Sequence, residues 1–135
     1  MPGLDHVNLQ TTRLAETVAF YRDVIGLEVR DPPGLDPALV QWMHDEAGHG
    51  IIHLSTVGSL LDEAAAALNS SVTGTTGAVH HVALDCSGHD AMVATLEARG
   101  LPYRLNHVAQ IDLKQIFVAD PNGVLLELNY RPGKH

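Results

Sequence analysis

The sequence is poor in cysteine, in basic side chains and in long apolar runs. Its one cysteine, Cys86, excludes an internal disulfide framework and any cysteine-rich zinc module. Lys and Arg number 8 against 16 Asp and Glu, for a formal net charge of −8. Nucleic acid is therefore not an expected partner, because binding phosphates requires a basic footprint. No segment approaches the roughly eighteen uninterrupted apolar residues that a membrane helix needs, so no membrane association is expected. The opening MPGLDHVNL has no cationic segment followed by an apolar run. With the lone thiol, this makes the cytoplasm the expected location. The 135 residues match one ordinary domain, 1–135, long enough to bury a core without staples.

What the sequence does have is histidine, nine of them, scattered along the chain with no tag-like run. Imidazole is the commonest protein metal ligand and carries protons near neutral pH, so this number requires an explanation. An internal repeat supplies a way to sort them. Asp5-His6-Val7-Asn8-Leu9 corresponds to His80-His81-Val82-Ala83-Leu84, Gly26-Leu27 to Gly100-Leu101, and Gly50-Ile51-Ile52-His53-Leu54 to Val124-Leu125-Leu126-Glu127-Leu128. The offset is 75 from His6 to His81 and 74 from Gly26 to Gly100 and from His53 to Glu127. A nearly constant offset indicates a duplicated module.

Periodicity gives each copy the same order of elements. Alternation predicts strands over 3–10, 27–31, 39–44 and 50–56, and again over 79–85, 102–107, 112–119 and 124–130. Leu14, Val18, Tyr21 and Ile25 recur at helical spacing and predict a helix over 13–24, stopped at Gly26. Met92, Leu96 and Arg99 mark a second helix over 89–99, stopped at Gly100. Asp120-Pro121-Asn122-Gly123 is a strong turn. The expected architecture is α+β, with two tandem βαβββ modules over 1–57 and 78–131. The linker 58–77 carries a short alanine-rich helix from Leu60 to Leu68.

Side chains alternate across a strand. His6, Asn8 and Gln10 share one face, as do His53 with Ser55, His81 with Ala83, and Glu127 with Asn129. The opposite faces are aliphatic and suit packing under a helix. A single strand histidine is most often a surface residue, and a lone strand glutamate an exposed charge. Here the four chemistry-bearing residues fall at repeat-equivalent positions on the polar faces. Three imidazoles and a carboxylate, His6, His53, His81 and Glu127, make a donor set for one divalent ion such as Fe, Mn, Ni, Co or Zn. Asn8, Gln10, Ser55 and Asn129 are placed to orient ligands or substrate, and Trp42, Met43, Phe117 and Tyr103 to line a pocket. His80 is expected on the opposite face from His81. His44 and His89 are expected at the surface, and Cys86 is assigned no catalytic role.

The segments LDHVNLQTTRLAETVAFYRDVIGLEV, HHVALDCSGHDAMVATLEARGLPY and QIFVADPNGVLLELNY resemble the vicinal oxygen chelate superfamily over nearly the whole chain. This group includes glyoxalase I, methylmalonyl-CoA epimerase, extradiol dioxygenases, and fosfomycin- and bleomycin-resistance proteins. The resemblance implies paired βαβββ modules forming a cupped mixed sheet around a metal. Its ligands come from the first and last strands, here His6, His53, His81 and Glu127. It also implies a small-molecule substrate bound through two adjacent oxygens, and a homodimer that can exchange modules.

Three activities remain open within the resemblance. A glyoxalase- or epimerase-like proton transfer uses a first-module glutamate where this chain has His53. An extradiol-type dioxygenase would use His6, His81 and Glu127 as its two-histidine, one-carboxylate triad. His49 and His107 would then be the acid–base candidates, but Phe117 stands where that pattern has a tyrosine. A metal-free, drug-binding protein is the third. Such members usually lose the ligands, and this sequence keeps them.

Overall fold

In the computed structural model, residues 4–56 and 80–133 are described. They fall in two compact units, the first within Met1–Gly74 and the second within Thr75–His135. The expected linker helix from Leu60 to Leu68 lies outside the described residues.

The first unit runs β1 (Val7–Thr11), α1 (Leu14–Phe20), β2 (Glu28–Arg30), β3 (Val40–His44) and β4 (Gly50–Thr56). The second runs β5 (Val82–Asp85), α2 (His89–Ala98), β6 (Tyr103–Val108), β7 (Leu113–Ala119) and β8 (Leu125–Tyr130). Each is a βαβββ module. Their sheets are ordered β1-β4-β3-β2 and β5-β8-β7-β6. In both, the first and last strands pair in parallel and the rest antiparallel. The helix makes the crossover that parallel pairing of the first and last strands requires.

The first helix departs from the spacing-based expectation. After Phe20 the chain widens into one π-helical turn, Tyr21–Ile25, closed by Gly26 at φ 92°. Gly26 and Leu27 both donate to the Tyr21 carbonyl. The buried stripe is Thr17, Phe20, Tyr21 and Val24 rather than the one through Leu14, Val18 and Ile25. Thr17 can join it because its hydroxyl donates to the Arg13 carbonyl at 2.8 Å.

The aliphatic sheet faces form the cores. Met43, Ile52 and Leu54 are buried in the first unit, where α1 packs on β3 and β4. In the second, Ile116, Val118, Leu126, Leu128 and Tyr130 are buried, and Leu96 of α2 is fully covered. The β7–β8 turn forms as expected. The buried Asp120 carboxylate accepts from the Asn122 and Val124 amides at 2.8 and 2.9 Å, and Gly123 adopts φ 83°.

Candidate functional site

The registers place equivalent residues in one cross-strand row in each unit. In the first, Asn8 pairs with His53, His53 with Trp42, and Trp42 with Arg30. In the second, Ala83 pairs with Glu127, Glu127 with Phe117, and Phe117 with Arg104. A strand residue shares its face with its register partner. Each row therefore presents a donor, His53 or Glu127, flanked by an aromatic ring, with an arginine on the edge strand. His6 and His81 both sit one residue ahead of their first strand, and both reach across to the donor of the last strand.

In the first unit His6 stacks on His53, with ring centroids 3.6 Å apart and planes 14° apart. Trp42 stacks on His53 at 4.2 Å. His53 is thus sandwiched between two rings, and its imidazole also hydrogen-bonds the Gly50 backbone. Burial chiefly, and then the charge of His6, push the His53 imidazole below the ordinary histidine value. A neutral ring can act as ligand or base. His6 Nδ1 lies 2.6 Å from Asp5 Oδ2. With the proton on Nδ1, the carboxylate accepts it and Nε2 keeps its lone pair, the arrangement usual for metal-binding histidine. The His6 hydrogen bond is also the first cause that lowers the Asp5 carboxyl.

In the second unit His81 Nε2 is 3.8 Å from Glu127 Oε1. Metal–donor bonds of about 2.0–2.2 Å let one ion reach both atoms. His80 Nδ1 stands 2.9 Å from His81 Nδ1. If His81 donates there, its Nε2 lone pair faces the carboxylate. Glu127 Oε2 accepts from Asn129 Nδ2 at 2.9 Å. The chemistry of these donors, imidazole nitrogen and carboxylate oxygen, fits a borderline divalent ion. The stacked first-unit pair fits less directly, since parallel rings 3.6 Å apart do not aim their in-plane lone pairs at one point. Among the described residues no group of three or more His, Cys, Asp or Glu is arranged to hold a metal ion. The donors stand as two pairs, one per unit.

The other histidines divide differently from expectation. His49 Nε2 donates to the Asp5 carbonyl at 2.8 Å, tying the β3–β4 turn to the segment that carries His6. His107 pairs in register with Lys114, and Lys114 with Tyr130, so it occupies the sheet face opposite Glu127. It donates to Asp112 at 2.9 Å, and the structure does not bring it to the carboxylate.

His44 is buried rather than at the surface, because the register shifts between Met43 and His44. A side chain on Gly50 would come within 3.3 Å of His44 Nε2 and 3.5 Å of His53 Nε2. His89, also expected at the surface, is mostly covered and meets Tyr130 edge-on at 5.2 Å. His80 touches His81 instead of opposing it, because β5 starts only at Val82 and strand alternation does not govern the two histidines. Of the expected pocket residues, Met43 is in the core, while Trp42 and Phe117 share the donor faces. Sequence reasoning missed Gln115 and Asn106, which hydrogen-bond toward Glu127 through Asn129. Only the strand register reveals them.

A family model, Glyoxalase/Bleomycin resistance protein/Dioxygenase superfamily, matches residues 3–128. Among solved structures, a glyoxalase/dioxygenase from Nostoc punctiforme is similar at TM-score 0.70 and 17% identity, over 96% of this chain and 91% of that one. Lactoylglutathione lyase from Agrobacterium tumefaciens matches at TM-score 0.62 and 18% identity, over 94% and 92%. A genomically encoded fosfomycin resistance protein from Listeria monocytogenes matches at TM-score 0.64 and 20% identity, over 95% and 90%. At these identities the likeness concerns the fold. Among curated proteins, nothing matches.

Proposed function

Because this chain belongs to the Glyoxalase/Bleomycin resistance protein/Dioxygenase superfamily, we propose that it is a divalent-metal-dependent enzyme acting on a small substrate with two adjacent oxygens. The proposed ligands are the pair His81 and Glu127 in the second unit and the pair His6 and His53 in the first. The observation that carries this reading is the pairing of His81 with Glu127 in the second unit, at the positions where the repeat puts His6 and His53 in the first. A divalent ion held there supplies Lewis-acid activation of the chelated oxygens.

The chain's own residues do the rest. Asp5 and His80 fix the orientations of His6 and His81. Asn129 holds Glu127. Trp42 stacks on His53, and Phe117 lies beside Glu127 in register, so each donor has an aromatic neighbour on its face. His53, whose imidazole burial pushes below the ordinary histidine value, would accept a proton from the substrate carbon in a proton-transfer reaction whenever it is not itself a ligand.

A second reading, a one-domain Fe(II) extradiol-type dioxygenase, is favoured by the sandwiching of His53 between two rings. That leaves His6, His81 and Glu127 as a two-histidine, one-carboxylate set, with His49 as the remaining acid–base candidate. Phe117 beside Glu127 offers no phenolic hydroxyl to such a substrate.

Two assays separate the readings. Proton transfer predicts solvent deuterium entering an α-hydroxycarbonyl substrate under anaerobic conditions with Zn, Ni, Co or Mn. Oxygen chemistry predicts O2 consumption with catechols and Fe(II). Stoichiometric binding of a hydrophobic drug with neither activity would overturn both and leave a binding protein.

A further inference from the structure

The two units differ in one buried feature that the fold itself does not demand. One register step beyond Glu127, the second sheet carries Asp85, Asn129, Gln115 and Asn106 in a row across β5, β8, β7 and β6. The equivalent row of the first sheet carries Gln10, Ser55 and Val40. Three carboxamides of the second row form a continuous chain. Asn106 Nδ2 donates to Gln115 Oε1 at 2.7 Å, Gln115 Nε2 to Asn129 Oδ1 at 3.1 Å, and Asn129 Nδ2 to Glu127 Oε2 at 2.9 Å. Gln115 and Asn129 are 8% and 7% exposed, so neither amide has bulk water as a ready substitute.

The direction of the chain follows from its end. An ionised carboxylate only accepts, so Asn129 must turn its NH2 to Glu127 and its oxygen to Gln115. Gln115 must then present NH2 to Asn129 and oxygen to Asn106. One charged acceptor thereby sets three amide orientations, and the last hydrogen bond is charge-assisted. Reciprocally, the chain holds Oε2 and leaves Oε1 as the oxygen beside His81 Nε2.

The first unit shows that packing alone does not need these amides. Val40 fills the position of Gln115 and is just as buried, and Ser55 fills that of Asn129 and donates to Asn8. The amide row accompanies the carboxylate, and the module that has His53 in place of Glu127 lacks it.

We propose that Asn106, Gln115 and Asn129 are positioning residues that lock the Glu127 carboxylate, so that Oε1 is presented beside His81 to a divalent cation. The cation clause rests on the metal-dependent reading above; the locking of the carboxylate does not.

The test uses the whole chain, without a histidine tag, and two readouts. In metal-free protein the side-chain amide signals of Asn129 and Gln115 should exchange slowly with solvent in NMR spectra. Glu127→Ala should shift both of them and that of Asn106. In Co(II) titrations followed by absorbance, Gln115→Leu should weaken binding about tenfold or more while the protein stays folded. If Gln115→Leu does not fold, Asn106→Ala at the exposed end should shift the Asn129 signals and weaken Co(II) binding in the same direction.

Amide signals of Gln115 and Asn106 that ignore Glu127→Ala would overturn the proposal. So would a folded Gln115→Leu protein with perturbed Asn129 signals and unchanged Co(II) affinity. Coupled amide signals in a parent chain that takes up no Co(II) would support the locked carboxylate and refute the metal-dependent reading alone.

Discussion

At the scale of single residues, His53 has the most constrained chemistry. Burial chiefly, and then the charge of the adjacent His6, disfavour the imidazolium, so its NMR titration midpoint should fall below the ordinary value of about 6.5. His6→Ala removes a ring that covers it and a neighbouring charge, and should raise that midpoint; an unchanged midpoint would contradict this account. Because the folded value is lowered, the folded state binds fewer protons than the unfolded one just below pH 6.5. His53 should therefore favour folding fully above that pH and lose its contribution as pH falls. The donors His6, His53, His81 and Glu127 were legible as candidates because a repeat and strand alternation select them. The environments of His44, His80 and His89 were not. A register shift, a strand starting three residues late and an aromatic contact made by a helix's first residue leave no mark in periodicity.

At the scale of elements, the β7–β8 turn is a local commitment that the sequence announced. Asp120-Pro121-Asn122-Gly123 carries its own hydrogen-bond acceptor, and the structure uses it twice. Asp120→Ala leaves the Asn122 and Val124 amides without that partner. It should lower stability in urea unfolding by about 1–3 kcal/mol; no change would mean that the turn is held otherwise. The buried Tyr130 at the end of β8 makes a second prediction. Burial, and then Cys86 alongside, push its hydroxyl above the ordinary tyrosine value. A raised folded value contributes stability fully below about pH 10 and loses it as pH climbs above that. Alkaline unfolding of the parent chain should be steeper than that of Tyr130→Phe. Strand existence and order were legible because hydrophobic alternation encodes them. The π-helical turn was not, since a stripe through Leu14, Val18 and Ile25 fits the same sequence as the buried stripe through Thr17, Phe20 and Tyr21.

At the scale of the whole molecule, the duplication organises both fold and site. The two registers turn a linear offset of 74–75 residues into matched cross-strand rows, and that pairing sorts nine scattered histidines into donors and others. The same comparison exposes where the copies diverge, in the amide chain behind Glu127. The most direct measurement of the central claim is the metal content of untagged protein by plasma mass spectrometry, for the parent chain and for His81→Ala and Glu127→Ala. The account predicts about one divalent ion per chain in the parent and a large loss in both variants. Equal metal content in all three proteins would contradict it.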